Sequence, residues 1–235
     1  SRDEIVNNVS DFLGVTAARV NYERGPNTVD LVYQPVITPS RGPRYGQLWV
    51  PLPDTLRSIP IQDGGADFPG RGALGLRYSR AARLLEYSLS FYDGHNHLPL
   101  LDFRPGLAVQ ARRYFAQMRM YGGDFALPLR WFTVKGEGAY FTSKTTSADE
   151  YALYVVQLER QTGEWTFVGG YAGEAVTNRR VQFDFAPDRG LAKTVLGRAA
   201  YNLDANRTVN VEGALRQNAA GFYTRFEYTQ AVGSH

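Results

Sequence analysis

Cysteine is missing from all 235 residues, so neither a disulfide nor a thiolate metal site is available. No run of about 18 apolar residues occurs, which excludes a transmembrane helix. No glycine-rich loop sits between a strand and a helix, so nucleotide binding finds no support. Charge of neither sign is concentrated. The 26 Lys+Arg and 23 Asp+Glu give a net charge of +3, spread along the chain and not gathered into a nucleic-acid stripe. Nucleic acid is therefore not an expected partner. No signal peptide is visible at Ser1, which reads as a mature, processed or fragmentary chain.

What the chain does hold is tyrosine, phenylalanine and glycine, with 15, 13 and 24 copies. That composition suits strands and tight turns. Side chains alternate across a strand, so a period of two marks one. The clearest case is the hairpin Tyr151–Tyr171, in which Tyr154, Val156 and Leu158 alternate with Gln157 and Glu159. After the polar turn Arg160–Glu164, Trp165, Phe167 and Tyr171 continue one apolar face.

The same alternation recurs along the chain. It places Ala18, Val20 and Tyr22 against Arg19, Asn21 and Glu23, then Val29, Leu31 and Tyr33 against Asp30 and Gln34. Leu74–Tyr78 and Leu85–Phe91 follow, then Tyr114, Ala116, Met118 and Met120 against Arg113, Gln117 and Arg119. Further strands are expected through Phe132–Tyr140, Val181–Phe183, Val195–Tyr201, Val209–Leu215 and Phe222–Tyr228. Between Pro35 and Gly72 the periodicity stops. Pro35, Pro39, Pro43, Pro51, Pro53, Pro60 and Pro69 exclude a central strand there, and a long loop over residues 35–72 is expected.

These strands run to about ten residues, the length a tilted strand needs to cross a bilayer, whereas soluble strands average about five to six. Their non-apolar face carries long charged side chains of both signs. Short turns at Gly25-Pro26, Ala81–Arg83 and Gln161–Gly163 alternate with long connections at Pro35–Gly72, Asp93–Gly106 and Ser143–Asp149, as in outer-membrane barrels. The expectation is an all-β, transmembrane, antiparallel up-and-down β-barrel over residues 1–235, with about twelve strands and a polar lumen. Tyr22, Tyr78, Phe132, Trp165 and Phe222 are expected at the periplasmic rim. Tyr33, Phe91, Tyr140, Tyr154, Tyr171, Tyr201 and Tyr228 are expected at the outer one. A soluble sandwich is the competing reading of the same alternation.

Asp11-Phe12-Leu13-Gly14, Gly25-Pro26-Asn27, Leu31-Val32-Tyr33-Gln34-Pro35, Pro39-Ser40-Arg41, Gly122-Gly123-Asp124-Phe125 and Gly136-Glu137 resemble a poorly characterised group of Gram-negative outer-membrane porin-like β-barrels. The resemblance implies an outer-membrane location, lipid as the surrounding partner, and no catalytic residues or cofactor. Two features depart from it. The first short turn follows the first clear strand, which would then begin outside the cell, and Gln230–His235 lacks a terminal aromatic residue. The expectation is that strands precede Val15 or one end is shifted in register, the chain being part of a larger barrel.

The expected pore lining is Arg19, Glu23, Arg77, Glu86, Arg119, Lys135, Glu137, Glu159, Arg198, Glu212, Arg216, Arg225 and Glu227. Arg112 and Arg113 join these arginines in favouring anions if the lumen is open. The leading function is passive diffusion of small polar solutes, anions among them, with loop 35–72 either forming the constriction or only covering the outer surface. A closed scaffold is the alternative, its opposite charges paired across strands and its external loops docking a protein partner or further copies of the chain. A barrel hydrolase is a third reading. It would use His95 or His97 with Ser88 or Ser90, and the two histidines, with Asp93 or Asp102, are also the one metal candidate. The preferred reading of Asp93–His97 is a polar external loop.

Overall fold

The computed structural model describes residues 14–40, 61–104, 108–180, 193–217 and 221–231. Among these there is no helix. In chain order the strands are β1 (Ala18–Arg24), β2 (Asn27–Gln34), β3 (Ile61–Asp67), β4 (Ala73–Ala82), β5 (Leu85–His95), β6 (Leu100–Arg104) and β7 (Val109–Tyr114). They continue with β8 (Gln117–Pro128), β9 (Thr133–Thr142), β10 (Glu150–Thr162), β11 (Trp165–Asn178), β12 (Thr194–Asp204), β13 (Arg207–Arg216) and β14 (Gly221–Gln230). Eleven of them form one antiparallel sheet in the order β1-β2-β4-β5-β8-β9-β10-β11-β12-β13-β14. The other three form a small sheet, β3-β7-β6.

Tight turns close the hairpins at one end. Gly25 (φ 57°) and Gly163 (φ 55°) each take the first position of a two-residue loop with positive φ there alone, the II′ pattern whose twist matches antiparallel strands. In the β12/β13 turn Asp204 accepts from the Asn206 amide at 2.9 Å and the Arg207 Nε at 2.6 Å.

Register places the apolar side chains in rows across the sheet. One row runs Val20–Leu31–Leu76–Phe91–Tyr121–Tyr140, and another Tyr87–Phe125–Gly136–Val156–Tyr171–Val195–Leu215–Phe222. These rows face out. Leu158 is 51% exposed and Phe226 69%, while the opposite parity is mostly half-buried. The sheet is therefore curled toward its polar face. The apolar residues buried among those described are Ala73, Ala111, Phe115, Ala116, Tyr151, Ala172 and Ala200, without one Leu, Ile, Val or Met.

Glycine lets aromatic rings lie flat on the outer face. A Cβ on Gly136 would stand 2.3 Å from the Phe125 ring, and one on Gly173 would stand 2.1 Å from that of Tyr154. Gly136→Val is expected to lift Phe125 and lower stability by about 1–3 kcal/mol, read from denaturant unfolding.

The small sheet is built from the two long connections, β2 to β4 and β5 to β8, which leave the same end of the large sheet. β3 runs parallel to β7, and β6 antiparallel. It is tied down by Phe68 stacked on Phe115 with centroids 5.5 Å apart, by the Ser40 amide donating to the His97 carbonyl at 2.9 Å, and by Arg71 on Asp93 at 2.5 Å.

The structure revises several expectations. The segment 35–72 is not all loop, since Ile61–Asp67 is a strand, and the following loop contains β6. Tyr114 and Met120, expected on one strand, belong to two sheets, because the chain bends at Phe115-Ala116. The strand expected through Val181–Phe183 lies outside the described residues, but β11 pairs directly with β12, so none intervenes in the sheet. That extra strand had inverted the direction of all later ones. Tyr201 and Tyr228 accordingly lie with Trp165 at the tight-turn end, and Phe222 lies at the other end. The large sheet has eleven strands where about twelve were expected, and no closed barrel is found among the described residues. β1 and β14, its two edges, both run toward the tight-turn end.

Candidate functional site

The inner, polar face is the candidate site. Its side chains come from alternate positions of the eleven strands, so the strands set their spacing. Arg19 holds Asp30 through both oxygens, at 2.7 and 2.8 Å. Asp30 stands in register with Arg77, whose Nη2 meets Asp124 Oδ2 at 2.9 Å. The Ser88 hydroxyl, 2% exposed as a residue, donates to the same carboxylate oxygen. Charges of alternating sign thus step across β1, β2, β4 and β8.

Lys135 and Glu159 pair at 2.7 Å between β9 and β10. On the last strands Arg225 lies 2.9 Å from Glu227 and 3.9 Å from Glu212, and Arg198 donates to Asn210 at 2.8 Å. With side chains from 20% to 64% exposed, such pairs contribute only about 0–1 kcal/mol each. Their consequence is a fixed charge pattern more than added stability.

Twelve of the thirteen side chains expected to line a pore share this face. The exception is Arg119. It has the parity of Tyr121 and Phe125 and lies 3.6 Å from Asp93 at the long-connection end. β8 starts at Gln117 and does not continue the alternation of β7, which moves Arg119 to the outer side and Met120 to the inner. Arg112 and Arg113 lie in the small sheet. Arg113 pairs with Asp63 at 2.9 Å and Arg112 with Asp67, beside the Asp102–Arg104 pair at 3.1 Å.

The expected pore lining left out Asp30, which alternation had already set on the polar side, and Asp124 and Glu174, which register adds to the inner face. With them the face carries nine carboxylates (Glu23, Asp30, Glu86, Asp124, Glu137, Glu159, Glu174, Glu212 and Glu227). Six cations oppose them: Arg19, Arg77, Lys135, Arg198, Arg216 and Arg225. The balance is negative.

The histidines do not assemble a reactive site. His95 has the outer parity of β5, and Ser88 and Ser90 have the inner, so alternation keeps them on opposite faces. The His97 Nδ1 lies 2.7 Å from the Thr38 carbonyl. Among the described residues no three His, Asp or Glu side chains group as metal ligands.

Arg180 was not anticipated. Its guanidinium donates to the carbonyls of Ser143 at 2.8 Å and Thr145 at 3.2 Å and to Glu150 Oε1 at 3.2 Å, and its amide donates to Asp149 at 2.6 Å. One cation thereby folds the 143–149 connection onto the mouth of the sheet. Arg180→Ala is expected to open that connection. Limited proteolysis should cut within residues 143–149 several-fold faster, with the strands intact.

No family model, curated protein or solved structure matches the chain.

Proposed function

We propose that the eleven-stranded sheet is the wall of an outer-membrane β-barrel and that its polar face lines a passive channel for small hydrophilic solutes. The observation that carries this reading is the inverted distribution of side chains. Val, Leu, Phe, Tyr and Trp cover the outward face, while the buried apolar set contains mainly alanine. A water-soluble sheet of this size would cover such a face with a second layer, because exposed apolar patches of more than a few hundred Å² are rare. Lipid supplies that layer here. Nine strands of ten or more residues among the eleven, tight turns at one end and long connections at the other fit the outer-membrane arrangement.

Wall size sets the solute class. Eight strands leave an interior that side chains fill, and 16 to 18 leave a wide aqueous channel. Eleven strands closed through the β1 and β14 edges fall between, which favours small solutes. The excess of carboxylates on the inner face favours cations over anions.

A closed scaffold is the second reading. It is favoured by the ion pairs that step across the strands and by the small sheet standing at one end. Conductance of the refolded protein in a planar bilayer separates the two. Discrete steps with a cation-selective reversal potential are expected; silence from protein shown to be folded and inserted would assign the chain to the scaffold.

A further inference from the structure

The outward face is interrupted at one place. Gly169, Gly197 and Gly213 stand in a single register row across β11, β12 and β13, with Leu158 at one end of the row and Thr224 at the other. A Cβ on Gly169 or Gly197 would meet nothing within 4 Å. The missing side chains leave a furrow of about 670 Å³, walled by Phe132, Leu158, Phe167 and Val211. That volume is in the range of ligand pockets, roughly 300–1,000 Å³.

A cation closes the furrow toward the tight turns. Arg160 is one of its lining residues. The Arg160 guanidinium lies 5.9 Å from the centroid of the Trp131 ring, and the Arg130 guanidinium lies 5.2 Å from the same ring. Neither arginine has a carboxylate partner among the described residues. Two like charges drawn to one indole repel each other unless an anion joins them.

We propose that the furrow and the Arg130–Trp131–Arg160 cluster seat one anionic phospholipid, with an acyl chain over the three glycines and the phosphate between the two guanidiniums. The inference rests on the reading that this face meets a bilayer. It goes beyond a generic lipid contact in two respects. The side chains of Phe132, Leu158, Phe167 and Val211 suit an alkyl chain, and Arg160 at the end of the furrow, with Arg130 on the same indole, favours a lipid of net negative charge over a zwitterionic one. Cationic side chains near an anionic lipid surface attract it additively.

The test uses Trp131 as reporter. The 235-residue chain carrying Trp49→Phe and Trp165→Phe is refolded into phosphatidylcholine vesicles. Its fluorescence is then titrated with phosphatidylglycerol or phosphatidylcholine brominated on the acyl chain. The phosphatidylglycerol is expected to quench at roughly tenfold lower mole fraction, a preference that R130Q/R160Q removes. Gly197→Leu, which fills open space and leaves the backbone unstrained, is expected to weaken quenching by both lipids. Equal quenching by the two lipids, unchanged in R130Q/R160Q, would overturn the seat while leaving membrane insertion standing. No quenching by either lipid, with the protein outside the vesicles, would instead remove the reading beneath it. A dimer in detergent that Gly197→Leu dissociates without any lipid dependence would assign the furrow to a second copy and overturn the inference.

Discussion

Val156→Arg combined with Val211→Arg is expected to abolish folding into phosphatidylcholine vesicles. Both valines sit in the middle of long strands with their side chains outward, at 48% and 41% exposure. An arginine on the lipid face near the bilayer midplane costs about 2–4 kcal/mol, and two on separate strands add. The sum approaches the whole stability of an ordinary domain, about 5–15 kcal/mol. Gln157→Arg with Asn210→Arg is the matched control. These residues are one position away in sequence and on the inner face; the pair loses the Arg198–Asn210 hydrogen bond and is expected to cost about 1–2 kcal/mol, which leaves folding intact. If the outer face met water, Val156→Arg and Val211→Arg would be nearly neutral, and the two double variants would behave alike in urea titration.

Glu86→Lys with Glu137→Lys is expected to reverse ion preference. The inner face carries nine carboxylates against six cations, and neither glutamate forms an ion pair among the described residues. The two substitutions turn an excess of three negative charges into an excess of one positive charge. Fields from charges lining a low-dielectric cleft raise the local concentration of the opposite ion, so the cation-to-anion permeability ratio should fall roughly two- to five-fold and pass below unity. The reversal potential in a salt gradient reads this directly. An unchanged ratio would mean that ions do not pass along this face.

The parity of nearly every strand was legible in the sequence because one face is apolar through the middle of the sheet. The hairpin Tyr151–Tyr171, the β4/β5 pair and the β13/β14 pair keep the faces their alternation assigns. The failures came where alternation continues through a change of partner. Arg113, Gln117 and Arg119 share one parity, broken only by Phe115, yet β7 and β8 lie in different sheets. Period fixes which side chains share a face within one strand; it carries no information on which strand lies next door.

The charge balance failed for the same reason. Counting arginines in the sequence included Arg112, Arg113 and Arg119, which the fold places off the inner face, and passed over Asp30, which register sets opposite Arg77, and Asp124, which Arg77 reaches across β5. The expected anion preference therefore gives way to a proposed cation preference. The glycine furrow was invisible as well. Gly169, Gly197 and Gly213 are far apart in the chain, and only strand pairing aligns them.

The measurement to make is a lipid-accessibility scan along β10. The chain has no native cysteine, so single cysteines at residues 153 to 159 can each carry one spin label without background. In vesicles, labels at 154, 156 and 158 should collide with oxygen dissolved in the bilayer, and those at 153, 155, 157 and 159 with a water-soluble nickel complex. A period of two with those phases is the expected result. Water access at both sets, or protein left in solution with residues 154, 156 and 158 shielded from both reagents, would contradict a lipid-facing wall.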